Sequence, residues 1–299
     1  MSAPLPALGI LSNSLATPTQ LATSSSSLDE IPTDLETSVR YAGVRLTQAA
    51  GVLLRLPQGI IAQAIVLFTR FWIGPEGGSL AIYGAKDISA ASVYIAAKLS
   101  FTPVSPRSVI NVYAFLLSPK SSPLRFVNPS GPPSQAHPET YYVSEGSYQS
   151  ERLSLMKLES TILRTLGFDT HAAIPHPIAF TYLQTLGASN PAVSKRTIEH
   201  LNAALFSPQL LYVTHQPNAL AVAAIYLAAR ETGVKLVDCE WWEVFDVDRE
   251  ELGFLVVAMR SMEGFAQAEE EKWKGRLLPL TVADVQRELE RRKIMEEEG

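Results

Sequence analysis

The chain carries the same apolar, helix-like sequence twice. The first copy, SAASVYIAAK, covers residues 89–98, and the second copy, AVAAIYLAAR, covers residues 221–230. Each copy has no charged residue before its last position, so a helix made from it is apolar on every side. Such a helix is stable only when other helices surround it. The duplication therefore predicts two helical units, each built around one copy.

Helical periodicity continues on both sides of each copy. Four more segments accompany the first copy, starting near Thr33, Gly59, Pro106 and Tyr148. The pattern restarts at His176, with two helices before the second copy and two, WWEVFD and DREELGFLVVAMRSMEGF, after it. No segment shows the alternation typical of strands. The sequence therefore predicts an all-α fold of two tandem five-helix repeats.

Composition suggests where the repeats begin and end. Residues 1–31 are rich in Ser, Thr, Pro and Ala, which predicts a disordered, flexible tail. The first repeat is expected over 32–169, with a long proline- and serine-rich loop inserted at 118–147. The second repeat is expected over 170–265. Residues 266–299 form a charged, solvated helical extension in this interpretation.

Composition also bears on partners and compartment. A hydrophobic content of 46% supports a folded core, and a net charge of −5 argues against direct nucleic-acid binding. No apolar run is long enough to span a bilayer, and the N-terminus resembles no signal peptide, so we expect no membrane partner. The lone Cys239, expected to be a half-buried apolar residue, fits a reducing compartment. These features indicate a soluble intracellular protein.

The sequence offers no catalytic machinery. It has no glycine-rich phosphate loop and no nucleophile motif in a suitable context, so we expect neither enzyme activity nor a cofactor. His171 and His176 lack a third ligand nearby, which argues against a metal site. Trp241 and Trp242 are either a binding hot spot or a cover for the core, and the second role is expected.

The end of the first copy differs from the end of the second. Lys98 ends the first copy, whereas an arginine ends the second. Such a lysine either extends into water and complements the helix dipole, or donates hydrogen bonds to the backbone carbonyls of a partner. Glu159 lies in an apolar stretch of the fifth helix and pairs with Lys98 if the third and fifth helices are neighbours. With Leu99, Leu163 and Phe168 exposed beside them, they would form a mixed polar and apolar docking surface.

Six segments together carry a family resemblance. They are LTQAAGVLLRLPQ (46–58), VLFTRFW (66–72), SPRSVINVY (105–113), ILRTLGF (162–168), PHPIAFTYLQTL (175–186) and QPNALAVAAIYLAAR (216–230). With the two five-helix repeats, they resemble the cyclin family and, within it, the cyclin L branch. The resemblance covers about residues 33–265.

This resemblance implies a nuclear regulatory subunit of a protein serine/threonine kinase. A cyclin holds the kinase helix that carries a PSTAIRE-like sequence and turns its glutamate toward the ATP-binding lysine. The resemblance implies a PITSLRE-type cyclin-dependent kinase as partner, acting in transcription and pre-mRNA splicing. A third regulatory or splicing subunit is a further candidate partner. The implied kinase-binding residues are Lys98, Leu99, Glu159, Leu163 and Phe168.

The sequence departs from the family pattern in several places. Ser100 and Phe101 stand where many cyclins have two acidic residues, and VRYAG (39–43) stands where cell-cycle cyclins carry an MRAIL-like substrate-docking motif. The insertion is long, and no arginine-serine segment occurs. Two alternatives remain open: a cyclin-fold partner of another transcriptional kinase, of the cyclin K, T or C kind, and a non-activating scaffold of the same fold.

Overall fold

The computed structural model describes residues 9, 11–131 and 137–297, and this part of the chain contains helices and no strand. The all-α prediction is confirmed. None of the described helices is both long and apolar enough to cross a bilayer. The α-helices are α1 (Pro18–Ala22), α2 (Ser25–Leu28), α3 (Thr33–Leu53), α4 (Gln58–Phe71), α5 (Ala85–Lys98), α6 (Pro106–Leu116), α7 (Glu145–Thr165), α8 (Pro175–Thr185), α9 (Pro191–Ala204), α10 (Leu211–Thr214), α11 (Pro217–Thr232), α12 (Arg249–Arg260), α13 (Met262–Lys272) and α14 (Val282–Glu297). Short 3-10 helices cover Pro138–Thr140 and Trp241–Phe245.

The helices form two compact units. The first unit combines Pro18–Thr170 with Phe265–Gly299 and contains α3 to α7. The second combines Met1–Thr17 with His171–Gly264 and contains α8 to α12. The predicted pair of five-helix repeats corresponds to α3–α7 in the first unit and to α8, α9, α11, the second 3-10 helix and α12 in the second.

A copy of the duplicated sequence lies at the centre of each repeat. In the first unit α5 packs against α3, α4, α6 and α7. In the second, α11 packs against α8, α9, α12 and the 3-10 helix. Both central helices are buried along most of their length because they have apolar or small side chains on every side. The small residues also allow neighbouring backbones to approach closely.

The residues around Asn13 and Ser26 pack against the repeats, which differs from the flexible tail predicted for residues 1–31. The Asn13 side chain is buried and exchanges two hydrogen bonds with the backbone of Ala173, at 2.7 and 2.8 Å. In the other unit, buried Ser26 accepts a bond from the Leu80 backbone N–H at 3.0 Å. Polar side chains in this segment form hydrogen bonds with backbone N–H and C=O groups of loops. Amino-acid composition does not reveal such contacts. Residues 1–8 and 10 lie outside the described part.

The long insertion is partly ordered by packing. Its described residues form no α-helix before Glu145, where Ser144 caps α7. Phe126 and Val127 are nevertheless buried, and the Asn128 amide donates to the carbonyl of Gly131 at 2.8 Å. The part over 118–128 therefore belongs to the folded first unit. Residues 132–136 lie outside the described part.

Burial of Phe126 should slow proteolysis of the inserted loop. Arg125 is exposed, but the residue after it, Phe126, is buried. Trypsin must bind both sides of the bond, so cleavage after Arg125 requires local opening. We expect it to be slow in the wild type and at least about tenfold faster in Phe126→Ala, as measured by timed digestion and mass spectrometry. Equal rates would show that 118–128 is not packed.

The C-terminal extension is charged but not solvated along its length. Val285 of α14 is buried, and Arg292 donates two hydrogen bonds to Asp34 at the start of α3, at 2.9 and 3.0 Å. Glu288 is also buried and accepts from three arginines, Arg276, Arg291 and Arg292. The opposite charges that nearly cancel in the sequence therefore form ion pairs that hold α14 on the first unit.

This ionic contact predicts a defined pH dependence. Hydrogen bonds from Arg291, Arg276 and Arg292 lower the pKa of Glu288 from 4.5 to about 2, against the opposing effect of burial. A carboxylate with a depressed pKa stabilises the fold above its unfolded pKa and loses that effect as the pH falls through the folded pKa. Urea unfolding should therefore show the wild type more stable than Glu288→Gln near pH 6, with the difference shrinking between about pH 4.5 and pH 2. A difference that does not change with pH would contradict this account.

Candidate functional site

The first unit brings together the two charged residues singled out in the sequence. Lys98 is the last residue of α5, and Glu159 lies on α7, which packs against α5. The Lys98 ammonium donates to Glu159 Oε1 at 2.8 Å. The lysine side chain is 56% exposed, whereas the glutamate side chain is only 13% exposed. The acid is thus fixed in the helix interface and the cation faces solvent.

Lys98 is stabilised in its charged form, and only one of its three N–H donors is bonded to Glu159. The hydrogen bond that Lys98 donates to Glu159 and the negative charge of that residue raise the pKa of Lys98. The carbonyl end of α5 also favours a cation at this position. An ammonium group has three donors, and one of them goes to Glu159. The other two are oriented by the ion pair and can be offered to carbonyl groups of a second molecule.

Large apolar side chains flank the ion pair on both helices. Leu99 directly follows Lys98 and is 64% exposed, and Phe101 is fully exposed. Phe168, just after the end of α7, is 69% exposed. Leu163 lies on α7, one turn beyond Glu159, and is partly buried. We call Lys98, Leu99, Glu159, Leu163 and Phe168 the docking surface.

The turn after α7 places Phe168 in an unusual backbone conformation. Gly167 and Phe168 both have positive φ, +57° and +62°. The Phe168 backbone N–H donates to the Leu163 carbonyl at 2.7 Å and so closes the helix end. A non-glycine residue in this region costs on the order of 1–3 kcal/mol and is found preferentially at functional sites. The strained turn projects an apolar ring into solvent.

Sequence reasoning missed one contributor, Tyr94. Its ring centroid lies 5.7 Å from the Lys98 ammonium, one helical turn earlier on α5. The second copy repeats the spacing, and there Arg230 donates to the Tyr226 hydroxyl at 3.2 Å within α11. A tyrosine four residues before the terminal cation is visible in both copies of the sequence. This spacing could have indicated from the sequence that an aromatic ring lies next to the terminal cation.

Other candidate residues have ordinary surroundings. His176 is buried, contacts Asn202 at 3.0 Å, and has its pKa lowered by burial. Within the described ranges no group of three His, Cys, Asp or Glu residues is arranged to hold a metal. Trp241 is buried against Trp242 and Phe245. The lone cysteine, expected to be half-buried, is instead exposed, because the stretch around it lies outside both flanking helices.

Known proteins resemble this chain over most of its length. No family model matches it. Human Cyclin-L2 is 33% identical over 232 residues, which cover 76% of this chain and 40% of the relative. Rice Cyclin-L1-1 is 31% identical, covering 77% of this chain and 49% of the relative. Zebrafish Cyclin-L1 is 28% identical, covering 97% and 52%.

Solved structures share the fold. A chain of the yeast RNA polymerase II CTD kinase CTDK-1 complex superposes with a TM-score of 0.66 at 11% identity, covering 95% of this chain and 84% of that one. A chain of the CAK complex from Chaetomium thermophilum bound to ATP-γ-S gives a TM-score of 0.51 at 17% identity, covering 80% and 66%. Identities this low are informative about the fold alone.

Fold and sequence together define the class. Two five-helix repeats, each around one apolar central helix, make this a cyclin-fold protein. Its curated relatives above are named cyclins L, and the resemblance to the cyclin L branch found in the sequence is confirmed. The chain spans between 40% and 52% of the length of these three relatives.

Proposed function

We propose that the chain is a regulatory subunit that binds and activates a cyclin-dependent kinase through the docking surface, and is not itself an enzyme. The carrying observation is the exposed Lys98, fixed by the less exposed Glu159 and flanked by solvent-facing Leu99 and Phe168. Central charged or aromatic anchors with apolar neighbours are typical of protein interfaces. The names of the curated relatives support the same function.

The chemistry of this surface suits the end of a partner helix. The last carbonyls of a helix lack internal donors, and the two spare donors of Lys98 match them. Leu99 and Phe168 would exclude water around these bonds and strengthen them. By its resemblance to cyclins, the chain would hold the kinase helix whose glutamate pairs with the ATP-binding lysine. That pairing completes the site for phosphoryl transfer.

Within this function, a PITSLRE-type cyclin-dependent kinase is the proposed partner. The process is transcription and pre-mRNA splicing in the nucleus, as the cyclin L resemblance implies. A further regulatory or splicing subunit would complete the assembly. The identity with cyclins L, at 31–33% for the human and rice relatives above, supports this assignment over more distant branches.

A second candidate is another transcriptional kinase. The likeness to a chain of the yeast RNA polymerase II CTD kinase complex favours it, since that fold match covers 95% of this chain. In that case the docking surface has the same role, and the partner kinase phosphorylates the polymerase tail. A scaffold of the same fold that binds no kinase is the remaining alternative.

An affinity pull-down from nuclear extract separates these possibilities. The bait is the wild-type chain beside the double variant Lys98→Glu/Glu159→Lys, and mass spectrometry identifies what each retains. A PITSLRE-type kinase with splicing factors on the wild type alone supports the leading proposal. A polymerase-tail kinase on the wild type alone supports the second. If neither bait captures a kinase, the result supports the alternative of a cyclin-fold scaffold that binds no kinase.

A further inference from the structure

The first unit contains a groove that lies outside the docking surface. Its volume is about 460 Å³, within the roughly 300–1,000 Å³ typical of ligand sites. One wall comes from the inserted loop and the other from the segment that leads into α14. Eight apolar or proline side chains line it: Leu117, Pro119, Phe126, Val127, Leu277, Leu278, Pro279 and Leu280.

The walls of the groove are joined by backbone hydrogen bonds. The Leu278 N–H donates to the Phe126 carbonyl at 3.3 Å, and the Lys86 N–H donates to the Leu280 carbonyl at 3.1 Å. Leu278 and Leu280 are buried, whereas Leu277 is 61% exposed at the rim. The groove is therefore preformed, and one large aliphatic side chain on its edge, Leu277, is mostly exposed.

The two carboxylates of the groove are fully engaged. Asp284 accepts from the backbone N–H and the hydroxyl of Thr281, at 3.1 and 2.6 Å, and also pairs with Arg287. Glu288 accepts from the three arginines described above. Each acid is therefore already paired with at least one arginine of the chain. A basic partner would have to compete with these arginines.

Two of the three cations of the groove, Lys86 and Arg287, have donors that are not bonded within the groove. Lys86 has its ammonium 3.7 Å from Asp87, which is beyond hydrogen-bond distance. Arg287 is largely exposed and donates through Nε to the Ala283 carbonyl and through Nη2 to Asp284, so its Nη1 faces outward from these bonds. Arg291 provides the third charge. Three cations face two satisfied carboxylates, so the groove carries surplus positive charge beside an apolar floor.

We propose that this groove binds an extended segment of a partner protein in which apolar side chains lie between carboxylate side chains. The apolar residues would cover Leu277 and the floor, and the carboxylates would accept from Lys86 and Arg287. This also gives the inserted loop a role, because Phe126 and Val127 form part of the wall. The proposal does not depend on kinase binding, since no residue of the docking surface lines the groove.

Fluorescence anisotropy with designed peptides tests the proposal. The probe is the labelled hexapeptide DELLDE, compared with KKLLKK, which reverses the charge, and DESSDE, which removes the apolar pair. We expect DELLDE to bind at least about tenfold more tightly than either, and to weaken as salt rises. Failure of DELLDE to bind at about 1 mM, or equal binding of KKLLKK, would overturn the proposal.

Matched variants locate the binding. Lys86→Gln/Arg287→Gln should weaken DELLDE binding at least about tenfold, and Leu277→Ser about threefold. Lys274→Gln/Lys293→Gln removes the same charge from exposed positions outside the groove and should leave binding within about twofold. Equal weakening of peptide binding by both double variants would show that binding depends only on the net charge of the chain, and would overturn the proposal. So would displacement of the peptide by an equal concentration of inorganic phosphate, which would assign the cations to a small anion.

Discussion

Exchanging the charges of Lys98 and Glu159 should abolish kinase binding without unfolding the chain. In Lys98→Glu/Glu159→Lys the ion pair can reform in the opposite sense, so the less exposed position 159 keeps an opposite charge beside it. The donors offered to the partner are lost, however, and a carboxylate takes their place. We expect affinity for the kinase to fall by roughly 2–4 kcal/mol, or about 30- to 1,000-fold, in a titration with the purified kinase.

A second ion pair in the same repeat provides the control. Arg107 on α6 pairs with Glu145 on α7 at 2.7 Å, and both side chains are exposed. The exchange Arg107→Glu/Glu145→Arg is the same chemical change outside the docking surface and should leave affinity unaltered. Both exchanged variants should melt near the wild-type temperature. Undiminished binding by the Lys98/Glu159 exchange would refute the proposed docking surface.

The second large effect is expected at Gly43, where α3 passes α4. A Cβ atom added there would lie 2.2 Å from Cζ of Phe68, which is fully buried and has no space to move. Overpacking of this kind typically costs about 1–3 kcal/mol. Gly43→Ala should therefore destabilise the chain by about that amount, measured by urea unfolding, although alanine favours helices more than glycine does.

Gly146 on α7 is the matched control. It is also helical, but a Cβ atom there would meet nothing within 4 Å. Gly146→Ala should be neutral or stabilising by up to about 1 kcal/mol. If Gly43→Ala were as stable as Gly146→Ala, the close approach of α3 and α4 would be wrong.

The central helices were predictable because their signal is local. A helix with no polar face must be surrounded by other helices. The sequence contains two such stretches, and in the structure each is largely buried among other helices. The pairing of Lys98 with Glu159 was also within reach of sequence reasoning. It depended only on the third and fifth helices being neighbours, which they are. The kinase-binding role of the pair remains a prediction.

The packing of the residues around Asn13 and Ser26 and of α14 was not predictable in the same way. Arg292 and Asp34 are 258 positions apart, and neither lies in an apolar pattern. Glu36 follows Thr33 by three residues, a spacing typical of a capping box at the start of α3. Glu36 instead accepts from Ser24, at 2.8 Å, and from Arg40. Polar side chains whose partners are distant in the sequence produce no periodic pattern. Composition alone therefore predicted that these segments are exposed to solvent.

The most direct test of the account is the activity of a purified PITSLRE-type kinase as this chain is titrated in. Phosphate transfer to a peptide substrate should rise and saturate with the wild-type chain and with the Arg107/Glu145 exchange. It should stay at the basal rate with the Lys98/Glu159 exchange. Unchanged kinase activity at saturating wild-type chain, with the Lys98/Glu159 exchange giving the same result, would contradict the proposal that this surface activates such a kinase.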